Sequence, residues 1–321
     1  MNTVETVRGA IETSALGTTL MHEHVFVLSP EVQQNYPAEW GSEDERVADA
    51  VTRLRELKAV GVDTIVDPTV IGLGRYIPRI QRINEQVDIN IVAATGLYTY
   101  DRLPFFFQHR GPAIDPSAPD PLIGMFVDDI RKGIADTGVR AAFLKCAIDE
   151  PGLTAGVERA LRAVARAHLE TGAPITVHTH PRTRTGSVVQ RVLGEEGVDP
   201  RRVVLGHSGD SEDADHLQEL ADAGFLLGMD RFGVDVISPF DTRVAIVAEL
   251  CRRGYAESMV LSHDASCYID WIDPAALPLL PNWNYTHIHR DVLPALQNAG
   301  VADAQIETML VHNPQRYFGG T

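Results

Sequence analysis

Short apolar runs recur along most of the chain, separated by longer amphipathic stretches. Besides the run around His22, they cover 64–67, 90–94, 142–145, 175–178, 203–207, 225–228 and 258–261. Runs of this length that are continuously apolar are typical of strands buried on both faces of a parallel sheet. Most are separated by stretches such as 156–171, where apolar residues recur every three or four positions, as on one face of a helix. The pattern predicts a repeated strand–helix unit.

The number of these units favours one fold class over its alternative. Eight runs in 321 residues predict an α/β protein with a single (β/α)8 TIM barrel that spans residues 1–321 as one domain. A doubly wound open sheet is the alternative. Gly72-Leu73-Gly74 lacks the third glycine of a dinucleotide-binding fingerprint, so it gives that alternative little support.

The residues near the start of the chain predict three further elements. Residues up to Thr19 alternate in polarity and predict a short N-terminal β-hairpin. Residues 30–41 contain two prolines and are predicted to form a loop. Ser42 and Glu45 have the spacing of a capping box, which predicts a helix beginning there and ending before Gly61.

Composition and charge exclude several classes of partner. The formal net charge of −16 disfavours nucleic acid and anionic membrane surfaces, because both would repel the protein. The three cysteines, Cys146, Cys251 and Cys267, form no CxxC motif, so neither a disulfide framework nor a zinc ribbon is expected. No basic-then-apolar leader and no run of 18 apolar residues are found, and we therefore expect a cytoplasmic protein.

Side chains that can bind a metal follow several of the apolar runs. They are His22 and His24 in the first run, Lys145 in the fourth, His178 in the fifth, His207 in the sixth and Asp264 just past the eighth. In a barrel of this type the carboxyl ends of all strands meet at one face, where active sites lie. Imidazole and carboxylate groups that converge there predict a metal centre.

Lys145 allows two interpretations. A lysine at the end of a buried strand is costly as an ammonium ion, which favours a neutral amine or a paired charge. A neutral amine can take up CO2 to become a carbamate, whose two oxygens could bridge two metals. An ion pair with Asp67 or Asp264 is the alternative, and the residues alone leave both open.

The ordered set His22-x-His24, Lys145, His178, His207 and Asp264 resembles the phosphotriesterase family of the amidohydrolase superfamily. The similarity extends from Thr6-Val7-Arg8-Gly9 and Leu16-Gly17-x-Thr19-Leu20-Met21 to Asn313-Pro314-x-Arg316-Tyr317-Phe318. Within the family, the chain most resembles the phosphotriesterase-like lactonases. That finer resemblance rests on Tyr98, Arg231, a short seventh loop and Trp271.

The resemblance implies a centre of two divalent metal ions, which could be zinc, cobalt, iron or manganese, and no organic cofactor. His22, His24 and Asp264 would hold the more buried ion, and His178 and His207 the more exposed one. Carbamylated Lys145 would bridge the two.

The resemblance also implies the reaction. A hydroxide shared by the metals would attack the carbonyl of a small neutral lactone, such as an N-acyl homoserine lactone, with weaker hydrolysis of organophosphate triesters. Tyr98 would stabilise the oxyanion, Asp264 would transfer the proton, and Arg231 and Trp271 would border the substrate. The alternatives are a phosphotriesterase proper, or a non-catalytic binder of apolar ligands.

Two of these residues also have plain structural interpretations. Tyr98 could be an ordinary aromatic at a strand end, and Arg231 could simply pair with Asp230 or Asp235.

Two apolar segments need to be covered by something. Residues 265–285 form a candidate lid, which an acyl chain, a partner subunit or the protein's own core could cover. Phe105-Phe106-Phe107 is a second apolar segment that must be covered, and we expect a homodimer interface there.

Three further residues complete the predictions. His263 should point into the barrel wall if Asp264 faces the metals, and His180 is not expected to be a ligand. Cys267 could be exposed in the lid.

Overall fold

The computed structural model describes residues 2–320, and a parallel sheet whose strands follow one another in chain order dominates it. Its strands are β3 (Thr19–Leu20), β5 (Thr64–Asp67), β6 (Asn90–Gly96), β7 (Phe143–Ile148), β8 (Ile175–Thr179), β9 (Val203–Gly206), β10 (Leu226–Met229) and β11 (Met259–Leu261). The amide of Met21 donates to the carbonyl of Leu261 at 3.4 Å, so the first and last strands almost close the sheet. The predicted (β/α)8 TIM barrel is confirmed.

The continuously apolar strands bury both of their faces. Val66, Val92 and Phe143 belong to a cluster that fills the inside of the barrel. Their neighbours Ile65 and Leu144 belong to a larger cluster shared with the helices. Because successive side chains in a strand point to opposite faces, one apolar run supplies both layers.

Helices cover the outside of the barrel. They are α1 (Pro30–Asn35), α2 (Glu43–Ala59), α3 (Ile77–Asn84), α4 (Phe105–Gln108), α5 (Pro121–Arg131), α6 (Ala155–Thr171), α7 (Thr185–Glu195), α8 (Ala214–Asp222), α9 (Phe240–Arg252), α10 (Leu293–Asn298), α11 (Asp303–Glu307) and α12 (Asn313–Gly319), with π-helical turns at Ile288–Val292 and Thr308–His312. As predicted, α2 follows Ser42, whose hydroxyl accepts from the amide of Glu45. Among residues 2–320, no helix combines the length and apolarity needed to cross a membrane.

The N-terminal hairpin forms as expected, from β1 (Thr3–Thr6) and β2 (Gly9–Glu12) paired antiparallel. The prediction of a loop throughout 30–41 is wrong in its first half, because α1 occupies Pro30–Asn35. Proline at the first position of a helix loses no hydrogen bond and has a suitable φ, so Pro30 begins the turn instead of breaking it.

The strand expected to carry both His22 and His24 is interrupted. After β3 the amide of Glu23 donates to the carbonyl of Val66. The chain then resumes as β4 (His24–Val27), which pairs in parallel with β12 (Ser266–Ile269) outside the main sheet. The break occurs because residues 21–23 bond to both neighbouring strands where the barrel closes.

Candidate metal centre

The predicted ligands of the buried ion lie together at the carboxyl end of the barrel. The Nε2 atoms of His22 and His24 each lie 3.3 Å from Oδ1 of Asp264. All three side chains can offer one ligand atom to a common point. Two imidazoles and one carboxylate are a donor set that suits divalent transition metals.

The remaining predicted histidines form a second pair beside the first. Nε2 of His207 lies 2.8 Å from Nδ1 of His178. The rings of His207 and His22 are 4.9 Å apart between centroids, so the two groups adjoin. The structure therefore brings together all four histidines that the sequence singled out.

Lys145 lies beside His22 of the first group. Its Nζ is 3.5 Å from Nε2 of His22, and the residue is 1% exposed. Within residues 2–320, no carboxylate lies within ion-pairing distance of this amine, so the alternative of an ion pair with Asp67 or Asp264 is wrong. Burial lowers the pKa of Lys145 to about 8, so more of this amine is neutral near neutral pH than of an exposed lysine.

The outward-facing nitrogens of two rings share one carboxylate. Oδ2 of Asp230 lies 2.9 Å from Nδ1 of His22, and Oδ1 lies 2.9 Å from Nδ1 of His207. Because a carboxylate accepts, both Nδ1 atoms carry protons and both Nε2 atoms direct lone pairs into the centre. Asp230 also accepts from the amide of His207. It therefore contacts ligands from both groups, and with His22 and His207 it forms a second set of side chains that could meet at one ion.

The other two rings are oriented separately. Nδ1 of His24 lies 2.7 Å from the hydroxyl of Thr69, which in turn contacts Asp67. Nε2 of His178 lies 3.3 Å from Oδ2 of Asp149. Each of the four imidazoles thus has one nitrogen bonded to a partner and the other facing its fellow ligands, as metal-binding histidines require. The residues present fit a metal centre.

The protonation states agree with ligand chemistry at most positions. Burial lowers the pKa of His178 to about 4 and that of His207 well below its ordinary value, so both rings are neutral. Burial opposes ionisation of Asp264, but the nearby His22 and His24 hold its pKa well below the usual range. At His24, burial is outweighed by hydrogen bonds with Asp264 and Asp67, which raise its pKa to about 9. A metal would therefore displace a proton from His24.

Arg231 contacts the centre directly. Its Nε donates to Oδ2 of Asp264 at 3.1 Å, and Nη1 donates to Asp210 at 3.0 Å. The alternative of a pair with Asp230 or Asp235 is therefore wrong. Nη1 of Arg243 lies 2.5 Å from the other oxygen of Asp210, so a row of alternating charges fixes the Asp264 carboxylate from behind.

A mostly apolar cavity opens above the centre. The hydroxyl of Tyr98 lies 3.5 Å from Nδ1 of His178, and the ring of Trp271 lies 5.5 Å from the Tyr98 ring. Burial raises the pKa of Tyr98 to about 12, so the phenol keeps its proton and can donate a hydrogen bond. The remaining lining includes Val27, Leu73, Val234, Ile237, Ile269, Ile272 and Trp283.

Two ligands lie in backbone conformations that non-glycine residues seldom adopt. His207 has φ 66° and Asp264 has φ 55°. Left-handed conformations cost such residues about 1–2 kcal/mol each, so the surrounding contacts must hold them. His207 directly follows β9 and Asp264 lies three residues beyond the end of β11, so both lie where the chain turns at the carboxyl end of the barrel.

Sequence reasoning missed Asp230, Thr69 and Asp149. A detectable signal existed for Asp230, which directly follows the strand Leu226–Met229 in the same way that His207 follows Val203–Gly206. Asp149 directly follows the strand Phe143–Ile148, so the same signal existed for it. Thr69 lies on the loop after Asp67, where position along the chain does not reveal direction.

The other residue predictions have mixed outcomes. His263 is fully buried and points away from the centre, and His180 bonds to Thr183 instead of joining the ligands. Cys267 is 6% exposed, so the suggestion of an exposed thiol is wrong. Its Sγ lies 3.3 Å from the Tyr285 hydroxyl.

Fold and site together define a class. A parallel barrel with four oriented imidazoles, a carboxylate and a buried lysine at its carboxyl face is the arrangement of a metal-dependent hydrolase. The family model described as the phosphotriesterase family matches residues 2–318. The chain belongs to the phosphotriesterase family, whose enzymes are metal-dependent hydrolases with two divalent cations.

Individual relatives agree with this assignment. The phosphotriesterase homology protein of Mycobacterium tuberculosis (strain H37Rv) is 60% identical over 319 residues, which cover 99% of this chain and 98% of the relative. The aryldialkylphosphatase of Saccharolobus solfataricus is 40% identical over 314 residues, covering 97% and 98%. The solved structure of the phosphotriesterase from M. tuberculosis superimposes with a TM-score of 0.97 at 60% identity, covering 98% of each chain.

Proposed function

We propose that this hydrolase opens lactones, N-acyl homoserine lactones among them, and hydrolyses organophosphate triesters more weakly. The observation that carries the proposal is the Tyr98 hydroxyl, which lies 3.5 Å from His178 and in the same cavity as the four histidines. It supplies one neutral donor beside the ligand cluster, as the carbonyl oxygen of an ester would need.

In this proposal His22, His24 and Asp264 would hold one divalent cation, and His178 and His207 would hold the other. Lys145, carbamylated at its buried amine, would be the ligand that both cations share. Zinc, cobalt, iron and manganese all accept these donors. When bound, the cations lower the pKa of water and polarise the carbonyl of the substrate.

The protein's own groups then have distinct tasks. Tyr98 keeps its proton and donates to the oxygen on which negative charge develops. Asp264 accepts the proton of the attacking water and delivers it to the alkoxide that leaves the ring. Arg231 holds the second oxygen of Asp264, which keeps the first directed at the reaction. The products balance as lactone plus water giving a hydroxy acid.

The cavity favours an uncharged substrate with an apolar tail. Trp271 is 47% exposed and forms part of the rim together with Ile272. An acyl chain that lies across this rim would cover surface that otherwise faces water. The net charge of −16 disfavours anionic substrates by long-range repulsion.

Phosphotriester hydrolysis is the second candidate, and the 40% identity to an aryldialkylphosphatase favours it. The same donors would serve, because a phosphoryl oxygen and a carbonyl oxygen both need polarisation. The two candidates differ in what the cavity around Tyr98 and Trp271 accepts.

The deciding experiment measures kcat/KM for a long-chain N-acyl homoserine lactone and for a neutral aryl phosphotriester on one preparation of known metal content. We expect the lactone to be preferred by orders of magnitude. A preference for the triester would contradict the lactonase proposal and support phosphotriester hydrolysis instead. Unchanged turnover of both substrates after complete chelation would contradict the metal centre.

The homodimer stays a prediction. Phe105 and Phe106 are 74% and 48% exposed in the single chain, which leaves an apolar surface available for a second copy. Sedimentation velocity would test it, and a monomer at micromolar concentration would make the prediction wrong.

A further inference from the structure

Glu23 lies between His22 and His24, and its side chain points away from the metal centre. It is fully buried, with 0% of its surface exposed. A buried carboxylate is costly unless hydrogen bonds satisfy it, so its contacts identify what it does. All of those contacts reach the segment 262–265, which contains Asp264.

Four donors converge on this carboxylate. Oε1 accepts from the hydroxyl of Ser262 at 2.8 Å and from the amide of His263 at 2.8 Å. It also lies 2.6 Å from Nδ1 of the His263 ring, and Oε2 accepts from the amide of Ala265 at 3.0 Å. The amide of Ile288 donates to Nε2 of His263, so Nδ1 carries the proton and is a donor too.

The two amides that bind Glu23 flank Asp264 on both sides. Asp264 itself has φ 55°, and its own amide donates to the carbonyl of His22 at 3.0 Å. One acceptor that binds the residues before and after a left-handed position fixes the turn between them. The direction of the Asp264 carboxylate depends on that turn.

We propose that Glu23 is a positioning residue that holds Asp264 in its metal-facing conformation. The inference rests on the proposed role of Asp264 as a metal ligand. The tripeptide His22-Glu23-His24 thus has two functions, because alternate side chains point to opposite sides. His22 and His24 face the metals, and Glu23 fixes the third ligand from behind.

The test compares Glu23→Gln with wild type. Glutamine has nearly the same size but only one acceptor oxygen, and its amide group would face donors. In metal-free protein, we expect the amides of His263 and Ala265 to exchange their hydrogens faster than in wild type. In protein loaded with Co2+, we expect metal release to excess EDTA to accelerate about 10- to 100-fold, the range typical of lost support behind a ligand.

Asn313→Ala is the matched control. The Asn313 side chain is fully buried and donates to the carbonyls of Ala256 and Met259, at the opposite end of strand β11. Its loss should destabilise the same strand without touching Asp264. Both variants are measured at temperatures equally far below their own Tm, so that general destabilisation is removed from the comparison.

The outcomes separate a positioning role from a general structural one. Fast exchange and fast release in the glutamine variant, with wild-type behaviour in the control, support the proposal. Wild-type release and exchange in the glutamine variant, or equally fast release in both variants, overturn it. If the glutamine variant does not fold, Ser262→Ala removes one of the four donors and should accelerate amide exchange at His263 and Ala265 by less. Metal release is not compared for this variant, because the Ser262 hydroxyl also accepts from the amide of His22.

The same experiment distinguishes a failure of the proposed function from a failure of the positioning role of Glu23. A wild-type protein that binds no Co2+ would contradict the metal centre. The exchange of the His263 and Ala265 amides in metal-free protein would then decide on Glu23 by itself.

Discussion

The two groups of histidines in the centre are built differently. His22 and His24 come from one short stretch of chain, and both contact Asp264 at 3.3 Å. His178 and His207 come from separate strands, and His178 is supported by Asp149, whose side chain is 37% exposed. All four rings are buried and line the same cavity, so the two groups differ in their supports and not in their exposure. The difference predicts that changes behind His24 and behind His178 act on separate ligands.

The largest expected effect comes from Lys145, the residue proposed to bridge the two groups. Lys145→Ala should abolish metal binding and activity together, because the proposed bridging carbamate could not form. A short carboxylic acid such as acetate should restore part of both by occupying the vacated space. Metal analysis and lactone turnover measure this, with Lys132→Ala, an exposed lysine, as control. A fully active Lys145→Ala protein would end the bridging role.

Asp230→Asn should weaken both groups at once. An amide cannot accept from both Nδ1–H groups, so His22 and His207 lose their common support. We expect the metal affinity to fall about 10- to 100-fold. Competition with a chelating dye measures it, and Asp222→Asn at the surface is the control. A loss confined to one ion would contradict the shared role.

Tyr98→Phe should act on the reaction and not on the metals. Without the hydroxyl, lactone kcat/KM should fall by ~10-fold or more, since one oxyanion donor is lost. Metal content should stay at the wild-type value. Tyr100→Phe, two residues further along, provides the matched control. Unchanged turnover would leave Tyr98 as a packing residue.

The smallest effects should separate the two groups. Thr69→Val removes the hydroxyl behind His24 and should lower the affinity for the ion proposed to bind His22 and His24 by about fivefold, since a hydrogen bond contributes about 1 kcal/mol net. Asp149→Asn should change the affinity for the ion proposed to bind His178 and His207 by less, because water can replace the partly exposed Asp149 carboxylate beside His178. Site-resolved Co2+ spectra measure both. Equal effects on both ions from either variant would contradict the separate supports of His24 and His178.

Much of the architecture was predictable from local pattern. Each strand of the barrel is buried on both faces, so it appears in the sequence as an apolar run, and the ligand that follows it is visible as a polar residue at the run's end. His178 and Asp264 were found in this way. Asp230 obeys the same rule after Met229 and could have been found with it.

Other features depend on contacts between distant parts of the chain. The pairing of Arg231 with Asp210 and Asp264, in place of its neighbour Asp230, follows from where three loops meet. The burial of Cys267 follows from the pairing of β12 with β4. Neither the pairing of Arg231 nor the burial of Cys267 can be inferred from the spacing of residues along the chain.

By itself, the sequence determined the barrel, the order of its strands and the residues that end them, because burial on two faces and strand periodicity are local properties. Only the tertiary structure decided which nitrogen of each imidazole faces inward, since that depends on whether Asp230, Thr69 or Asp149 lies behind the ring. It also decided that Glu23 lies under Asp264. Those partners are as many as 242 positions apart, as with Glu23 and Ala265, and they meet only when the barrel closes.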